Sequence, residues 1–388
     1  MFVTYENPKL VEIPKTKIKY YLKKIGLVES FFIKNNNNNK KKEVDRPDVD
    51  NNKEEFFANS FSLEIKKIKS LDGKTAGVFF NDQKKLKIFT QEGQLIDHGK
   101  IKEINLPIDF TIEKEGGVKN VIFYKNNFFA LLSRKTSGCY YASLINSETQ
   151  LEILKTECIP DEKKINFSGI GGGYTYINNG LLFSIGTPTH YSEEIDKLAQ
   201  DNKSFYGKIY LMKDNNGKIE YSVFSTGHRN PQGITNIKGK VFSTEHGPEG
   251  GDELNKIERD NNYGWPLVSF GNRYGGKSYK KRSKELTSPI FSFMPAIAPS
   301  SLNECPQNLK LYYKDFTCLI GLTLREMSVM IYLLDENNKL ISLEKILTEK
   351  RLRHFGVDKN AKLYSEKNSF YFSADNNGIY EAKFKNFK

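Results

Sequence analysis

The sequence predicts an all-β protein, a six-bladed β-propeller with a short N-terminal extension. Three observations support this prediction. The 388 residues include 27 Phe and 21 Tyr against a single Trp, and Phe and Tyr favour strands. A polar turn followed by a short apolar strand recurs along the chain. No long stretch places apolar residues at the spacing of an amphipathic helix.

The repeated unit is a turn rich in Asn, Asp, Lys and Gly, followed by an alternating apolar strand that often ends in Ser or Thr. Its six copies begin at Asn81, Lys125, Asn178, Lys238, Lys314 and Glu366. Intervals of about 45 to 75 residues fit blades of about four short strands better than the coils of a solenoid. We therefore expect a six-bladed propeller over residues 56–388.

The chain before residue 56 has a different composition. Residues 34–55 are an Asn- and Lys-rich segment of low complexity that cannot bury enough apolar area to fold, so we interpret them as a linker. Residues 1–33 are expected to form an extension outside the propeller or on its rim. The chain shows neither the apolar stretch of a signal peptide nor the run of ~20 apolar residues that a membrane-spanning helix needs.

The net charge bears on whether the protein binds nucleic acid, and the cysteines bear on whether it folds in an oxidising compartment. The net charge is +12, but the Lys residues are scattered and alternate with apolar positions, so we attribute the charge to composition and expect no nucleic-acid partner. Cys139 and Cys158 flank a predicted hairpin. A disulfide and two ordinary half-buried thiols are both compatible with that placement.

The most unusual stretch runs from Gly227 to Pro266. Its segments "GHRNPQG" and "EHGPEGGDE" flank the fourth repeated strand, so both loops belong to one blade. The second loop can turn backbone carbonyls outward in an array that suits a hard cation such as Ca²⁺, although a plain tight turn is favoured for it in isolation. Arg229 and Asn230 add donors suited to carboxylates or quinone oxygens.

Other functional templates do not fit. The sequence has no HExxH zinc motif, no phosphate-binding GxxxxGK[ST] loop and no GxSxG nucleophile elbow, and its five His residues lack zinc-ligand spacing. The run "GIGGGY" from Gly169 has Tyr174 where a dinucleotide fingerprint requires its third Gly. These absences weaken the hydrolase and nucleotide-binding interpretations.

The segments "GHRNPQG", "TEHGPEGGDELN" and "NYGWP", in this order, resemble the soluble quinoprotein sugar dehydrogenases, the glucose/sorbosone and aldose sugar dehydrogenase family. Members are six-bladed propellers that bind pyrroloquinoline quinone (PQQ) with Ca²⁺ and oxidise sugars in the periplasm. The resemblance implies the same fold and cofactors, a small-molecule sugar substrate and an electron acceptor that the sequence does not identify. It also implies a periplasmic or otherwise extracytoplasmic location.

The resemblance also implies roles for single residues. Arg229 and Asn230 would donate to the quinone oxygens, and the main-chain carbonyls of Gly247 and Pro248 would bind the Ca²⁺ that bridges to the cofactor. The remaining cofactor-binding candidates are Gln232 and His246, which would flank that site, and three partners of the PQQ carboxylates, Arg325, Arg351 and Arg353. Arg325 stands where the family has Lys. Arg351 and Arg353 are two apart on a predicted strand and so share a face.

One catalytic residue of the family is missing. The family places its catalytic His before a Gly-rich segment, and Asn166 or Gly169 occupies that position here. His190 is the nearest residue that could replace it as the base, with Arg229 as the second catalytic residue. Two hypotheses therefore stay open, a PQQ-dependent sugar dehydrogenase with a different base and an inactive propeller that binds a carbohydrate or protein partner.

Overall fold

The computed structural model describes residues 53–161, 165–188, 192–274, 276, 278–281 and 283–388. The chain divides into two compact units, Met1–Asp50 and Asn51–Lys388, and the described residues belong to the second. The predictions for residues 1–33 and for most of the linker therefore fall outside the described residues. The first described strand begins at Lys53.

The regular secondary structure of the described chain is almost entirely β-strand, which confirms the all-β character that the sequence predicts. Its first strands are β1 (Lys53–Phe57), β2 (Ser62–Ser70), β3 (Thr75–Phe80), β4 (Leu86–Thr90), β5 (Gln94–Asp97) and β6 (Lys100–Glu103). Strands β3 to β6 form an antiparallel meander. All six residues of β3 are buried, whereas all four residues of β6 are exposed. This meander therefore begins in the interior and ends at the surface.

Four further antiparallel meanders follow in chain order. The first comprises β7 (Val118–Tyr124), β8 (Asn127–Thr136), β9 (Cys139–Asn146) and β10 (Glu152–Lys155), with β11 (Ile159–Pro160) paired to β9. The second comprises β12 (Gly171–Ile177), β13 (Gly180–Ile185), β14 (Lys208–Asn215) and β15 (Lys218–Thr226). The third comprises β16 (Pro231–Ile237), β17 (Lys240–Glu245), β18 (Asp252–Ile257) and β19 (Phe291–Phe293). The fourth comprises β20 (Pro299–Glu304), β21 (Thr317–Thr323), β22 (Ser328–Leu334) and β23 (Leu340–Leu347).

Helical structure is confined to connections between strands. The α-helices of the described residues are α1 (Glu193–Asp196), between β13 and β14, and α2 (Gln307–Tyr312), between β20 and β21. Short 3₁₀ turns span Phe167–Gly169 and Lys197–Gln200. Within the described parts of the chain, none of the helices has the length and apolar character needed to cross a membrane.

The last strands join the two ends of the described chain. They are β24 (Leu352–Val357), β25 (Ser365–Glu366), β26 (Ser369–Ala374) and β27 (Gly378–Lys385). Strand β27 pairs antiparallel with β2, and β24 pairs in parallel with β3 through Gly356 and Val357. The resulting sheet has the order β1-β2-β27-β26-β24-β3-β4-β5-β6, with β25 paired to β26.

The first strands of the meanders surround a common centre. Strand β3 contacts β7, β7 contacts β12, and the series continues through β16, β20 and β24 back to β3. The apolar core lies between neighbouring sheets, as in the cluster that packs Leu131 and Phe183 together and the one that packs Ile331 and Phe372 together. This arrangement brings the ends of the first strands together around one space.

Two disulfides link the described strands. Cys139, at the start of β9, is bonded to Cys158, with their Cα atoms 5.7 Å apart. The structure thus resolves the alternative that the sequence left open for this pair. Cys305 is bonded to Cys318 across the α2 connection, with their Cα atoms 5.5 Å apart. The sequence analysis did not identify this second disulfide.

Candidate functional site

A cavity of about 310 Å³ lies where the ends of the first strands meet, and we call it the central cavity. Its wall comes from residues at or near the ends of the first and second strands of the meanders. These residues are Lys74, Gln91, Glu115, Lys119, Asn166, Ser168, Gly171, Gln232, His246, Ala298, Leu324, Arg351 and Arg353. Its charged residues are four cations and one carboxylate, so the central cavity suits an anionic ligand.

The sequence candidates are placed in and around this cavity. Gln232, His246, Arg351 and Arg353 lie in its wall. Asn230 adjoins the wall, because its side-chain oxygen accepts hydrogen bonds from the amide of Gly171, 3.0 Å away, and from Gln232 Nε2, 3.2 Å away.

Arg229 and Gly247 line a narrow cleft that shares His246 with the central cavity. Pro248 follows Gly247 in the same loop, and its carbonyl accepts a hydrogen bond of 3.4 Å from the Tyr274 hydroxyl. Arg325 is exposed, and the neighbouring Leu324 stands in the cavity wall in its place.

Arg351 and Arg353 meet at one buried carboxylate, Asp375. Arg353 is 9% exposed, and its Nε and Nη2 donate to the two oxygens of Asp375 at 2.5 and 2.6 Å. Arg351 keeps 52% of its side chain exposed, with Nε 3.7 Å from Asp375. The bidentate pair holds Arg353 in place. Its remaining donor and the guanidinium of Arg351 can serve a ligand's carboxylates.

Arg229 is buried between an aromatic ring and a loop of carbonyls. Its guanidinium lies 5.2 Å from the centre of the Trp265 ring, and Nη1 donates to the carbonyl of Gly247 at 2.6 Å. Its backbone amide donates to Glu245 at 2.9 Å. The buried Nε atom of Arg229 has no hydrogen-bond partner in the described structure. A buried donor without a partner is costly, so Arg229 is suited to a ligand that supplies an acceptor.

The proposed Ca²⁺ ligands offer carbonyl oxygens that already accept hydrogen bonds, Gly247 from Arg229 and Pro248 from Tyr274. A carbonyl oxygen has two lone pairs and can accept a second partner. No group of three or more His, Cys, Asp or Glu side chains in the described residues is arranged to hold a metal ion. Two carbonyls are fewer than the about six to eight oxygen ligands that Ca²⁺ takes, so a cation at this loop would need further oxygen ligands.

Asp252 fixes the shape of this loop. One of its carboxylate oxygens accepts the amide of Gly247 at 2.8 Å, and the other accepts the amides of Ile297 and Ala298 at 2.7 and 2.6 Å. Gly251 has a φ of 71°, and a Cβ atom there would meet the amide nitrogen of Gly271 at 2.1 Å. The carbonyls of Gly247 and Pro248 are thus held by one buried carboxylate and one obligatory glycine.

The histidines of this region have structural partners. His246 Nε2 donates to the carbonyl of Pro299 at 2.7 Å, and burial lowers the pKa of His246. His228 is fully buried, bonds to Ser225 and Glu245, and stacks on Tyr263 with ring centres 4.6 Å apart. Both imidazoles are thus held by buried hydrogen-bond partners. His190 lies outside the described residues.

Asn166 and Gly169, the two positions at which the resemblance would place the family His, differ in their surroundings. Asn166 lies in the cavity wall, and its side chain caps a 3₁₀ turn by accepting the amide of Ser168 at 2.8 Å. Gly169 is buried inside that turn. Asn166 is therefore the position from which a side chain reaches the central cavity.

Lys119 is a cavity residue that the sequence analysis did not identify. It lies near the start of β7, is half-buried, and donates from Nζ to the carbonyl of Glu115 at 2.8 Å. Burial, together with the nearby charges of Arg353 and Lys74, lowers the pKa of Lys119 to about 7. The available signal was a lysine inside the strand "VKNVIFY", where five of the seven residues are buried.

Comparisons with known proteins bear on this site. A family model described as Glucose / Sorbosone dehydrogenase matches residues 84–370. An aldose sugar dehydrogenase of Escherichia coli is 32% identical over 149 residues, which are 34% of this chain and 39% of that protein. The quinoprotein glucose dehydrogenase B of Acinetobacter calcoaceticus is 32% identical over 120 residues, 28% of this chain and 25% of that protein. The chain spans about half or less of the length of the curated relatives it matches.

Solved structures share the fold. The apo-form of the soluble aldose sugar dehydrogenase from Escherichia coli is similar with a TM-score of 0.65 and 18% identity, covering 83% of this chain and 99% of that chain. The PQQ-bound form of an aldose sugar dehydrogenase from Streptomyces coelicolor has a TM-score of 0.55 and 18% identity, covering 83% of this chain and 98% of that chain. At this identity the likeness shows a common fold.

Proposed function

Because the chain belongs to the glucose/sorbosone dehydrogenase family, we propose that it is a PQQ- and Ca²⁺-dependent dehydrogenase that oxidises an aldose sugar. The observation that carries the proposal is the cationic central cavity beside Arg229, whose buried Nε lacks a partner in the described structure. PQQ, a planar quinone with carboxylate groups, matches both features. Two similar proteins support this choice of cofactor by their names: one is a quinoprotein glucose dehydrogenase, and the other is the PQQ-bound form of an aldose sugar dehydrogenase.

The fold proposal is a six-bladed β-propeller. Each of the six repeated segments forms the second strand of a meander: β4, β8, β13, β17, β21 and β26. In the last of these meanders β24, β26 and β27 come from the end of the chain, and β2 supplies the outer strand. The closed series of first strands supports the same blade count.

The chain's own residues bind and orient the cofactor in this proposal. Arg351 and Arg353 hold carboxylates of PQQ, while Arg229 and Asn230 donate to its quinone oxygens. Gln232 and His246 flank it. Arg325 stays a prediction as a third carboxylate partner, because its exposed side chain needs to turn inward to reach the cavity.

When bound, PQQ accepts the hydride that leaves the hydroxyl-bearing carbon of the sugar. Arg229 stabilises the negative charge that develops on the quinone oxygen, because its guanidinium is held in a buried site before the reaction starts. Trp265 and the carbonyl of Gly247 fix its orientation. The carbonyls of Gly247 and Pro248 are the proposed ligands of Ca²⁺.

We also propose an extracytoplasmic location. Both disulfides of the described chain are of the kind that persists in oxidising compartments such as the periplasm. The electron acceptor is proposed to be a separate molecule that meets the reduced cofactor at the cavity mouth.

Reconstitution tests the function. PQQ with Ca²⁺ added to the protein should raise its unfolding temperature, since a ligand of the folded state stabilises that state by mass action. The loaded protein should then oxidise aldoses with a dye as electron acceptor. The alternative, an inactive propeller that binds a carbohydrate or protein partner, predicts no turnover. An absence of any thermal shift at cofactor concentrations far above micromolar contradicts the cofactor assignment itself.

A further inference from the structure

We propose that Lys119 is the general base of this sugar oxidation and takes the place of the histidine that the family carries near Asn166. The inference deepens the proposed function and rests on it. Lys119 and Asn166 both line the central cavity, together with Gln232 and Arg353.

The position of the amine fits the role. Lys119 is half-buried near the start of β7, so the base of its side chain is fixed by a strand. Among the described residues, its Nζ bonds to backbone carbonyls, those of Glu115 at 2.8 Å and Gly116 at 3.4 Å. Neither carbonyl can neutralise the charge of an ammonium group as a carboxylate would.

The charged groups around Lys119 come from three elements. Glu115 precedes β7, but its carboxylate bonds to Lys74 at 3.1 Å. Arg353, on β24, is paired with Asp375. Lys74 and Arg353 disfavour a further positive charge, and with burial they keep part of the Lys119 amine neutral near neutral pH. A base with a pKa near the working pH is the effective kind.

The chemistry balances with Lys119 as proton acceptor. The sugar hydroxyl gives its proton to the lone pair of Lys119 Nζ, which becomes an ammonium group. The C–H bond of the carbon that bears this hydroxyl breaks with its electron pair, and bound PQQ would serve as the two-electron acceptor of the hydride. The carbonyl of the oxidised sugar forms between that carbon and its oxygen. Lys119 then returns its proton to water in the cavity.

Neighbouring side chains are poorer bases. The amide of Asn166 does not accept a proton near neutral pH. The Glu115 carboxylate has a pKa lowered mainly by its hydrogen bond to Lys74, so it is a weak base. His246 Nε2 is occupied by its bond to Pro299.

The first test needs no cofactor. Competitive acetylation of the free protein with trace acetic anhydride, read peptide by peptide by mass spectrometry from pH 5 to 11, gives the titration of each lysine. Lys119 should reach half of its full reactivity near pH 7. Lys135 is the contrast, because its hydrogen bonds to Glu113 and Tyr140 raise its pKa above the ordinary value. A Lys119 midpoint near 10 overturns the inference.

The second test separates binding from chemistry. Lys119→Met should lower kcat by about a hundredfold or more while leaving the thermal shift with PQQ and Ca²⁺ nearly unchanged. In Lys119→Ala, added methylamine should restore part of the turnover. Lys362→Met is the matched control, since Lys362 is also partly buried, donates to a backbone carbonyl, and lies outside the central cavity. It should leave kcat unchanged.

The outcomes distinguish the two proposals. If the unaltered protein shows no thermal shift with PQQ and Ca²⁺, the proposed function fails and the inference with it. If it binds the cofactor and oxidises aldoses at a rate that Lys119→Met does not change, the inference alone is overturned. Loss of turnover in His190→Ala with full turnover in Lys119→Met would assign the base to His190 instead.

Discussion

Arg353 donates two hydrogen bonds to the buried carboxylate of Asp375, from Nε to Oδ1 at 2.5 Å and from Nη2 to Oδ2 at 2.6 Å. Arg353 lies in the wall of the central cavity, so its pairing with Asp375 serves both the stability of the apo-protein and the placement of the proposed cofactor-binding cation. Arg351 approaches the same carboxylate from a more exposed position. The two arginines can therefore be separated by experiment.

Arg353→Ala should destabilise the apo-protein by about 3 kcal/mol, because it leaves the Asp375 carboxylate buried without its main partner. Arg351→Ala should cost less than about 1 kcal/mol, since its side chain is half exposed and screened by water. Urea unfolding of both variants measures the difference. Both should also reduce the thermal shift with PQQ, and equal stability losses would contradict the assignment of Arg353 as the anchored member.

Calcium alone should stabilise the protein little, whereas calcium with PQQ should stabilise it more than PQQ alone. The reason is that the Gly247 carbonyl faces the Arg229 guanidinium, which repels a cation until an anionic cofactor is present. Thermal unfolding with each ligand and with both measures the coupling. A large shift with calcium alone would point to a metal site elsewhere.

Glu253 should make stability fall as the pH rises. Burial and the opposite Glu245 carboxylate raise the pKa of Glu253 to about 8. The folded protein then keeps a proton that the unfolded chain loses above its ordinary pKa, so stability is lost between about pH 4.5 and 8, by at most about 1.4 kcal/mol per pH unit. Glu253→Gln should flatten this loss in urea unfolding at pH 5, 7 and 9.

The control for Glu253 is Glu258→Gln, an exposed carboxylate just beyond the same strand that pairs with Lys256. It should leave the pH dependence unchanged. A Glu253→Gln profile that parallels that of the unaltered protein would show that Glu253 is ionised in the folded state.

The two disulfides should differ in their response to a reductant without denaturant. Cys158 is exposed, whereas Cys305 and Cys318 are 2% and 4% exposed. Alkylation and peptide mass spectrometry should find Cys139 and Cys158 modified first, with the other pair intact. Because its cysteines are 19 residues apart, opening the first disulfide should cost about 3 kcal/mol of unfolding free energy. Simultaneous modification of both pairs would contradict this order.

Asn166→His should restore turnover to the Lys119→Met variant by about tenfold or more, because a side chain at 166 reaches the central cavity and histidine is a competent base. Gly169→His should not, since Gly169 is buried in its 3₁₀ turn. Turnover with an aldose and a dye measures both double variants. Recovery from position 169 alone would mean that the wall of the cavity is arranged differently around the substrate.

Local sequence patterns predicted the strands. The pairing between strands that are far apart in the sequence could not be predicted in this way. The repeated turns involve only residues that are adjacent in the sequence. One example is the turn at Lys125 and Asn126, which have φ values of 50° and 64°. The pairing of β24 with β3 joins residues from opposite ends of the chain, and no local pattern specifies it. The predicted Arg351 and Arg353 are close in sequence, but their shared partner Asp375 comes from the end of β26.

The features that the sequence analysis did not predict also depend on contacts between residues that are far apart in the sequence. Lys119 is an ordinary lysine in the sequence, and its lowered pKa arises first from burial and then from the nearby charges of Arg353 and Lys74, all of which depend on the fold. The family resemblance implies a cofactor contact for Arg325, which stays a prediction; in this structure its side chain is exposed and Leu324 lies in the cavity wall, a difference that the sequence does not reveal. The Cys305–Cys318 disulfide spans a helix, so it lacks the hairpin pattern that drew attention to Cys139 and Cys158.

The pairing of Ser62 with Lys385 joins two strands that are synthesised more than 300 residues apart. Strand β2 can pair with β1 along one edge early in synthesis, but its other edge pairs with β27, which is made after all the other described strands. Until β27 is made, this edge of β2 exposes unpaired backbone amides and carbonyls, which can form hydrogen bonds with another nascent chain. Translation speed and chaperone protection of this one strand should therefore govern the yield of soluble protein.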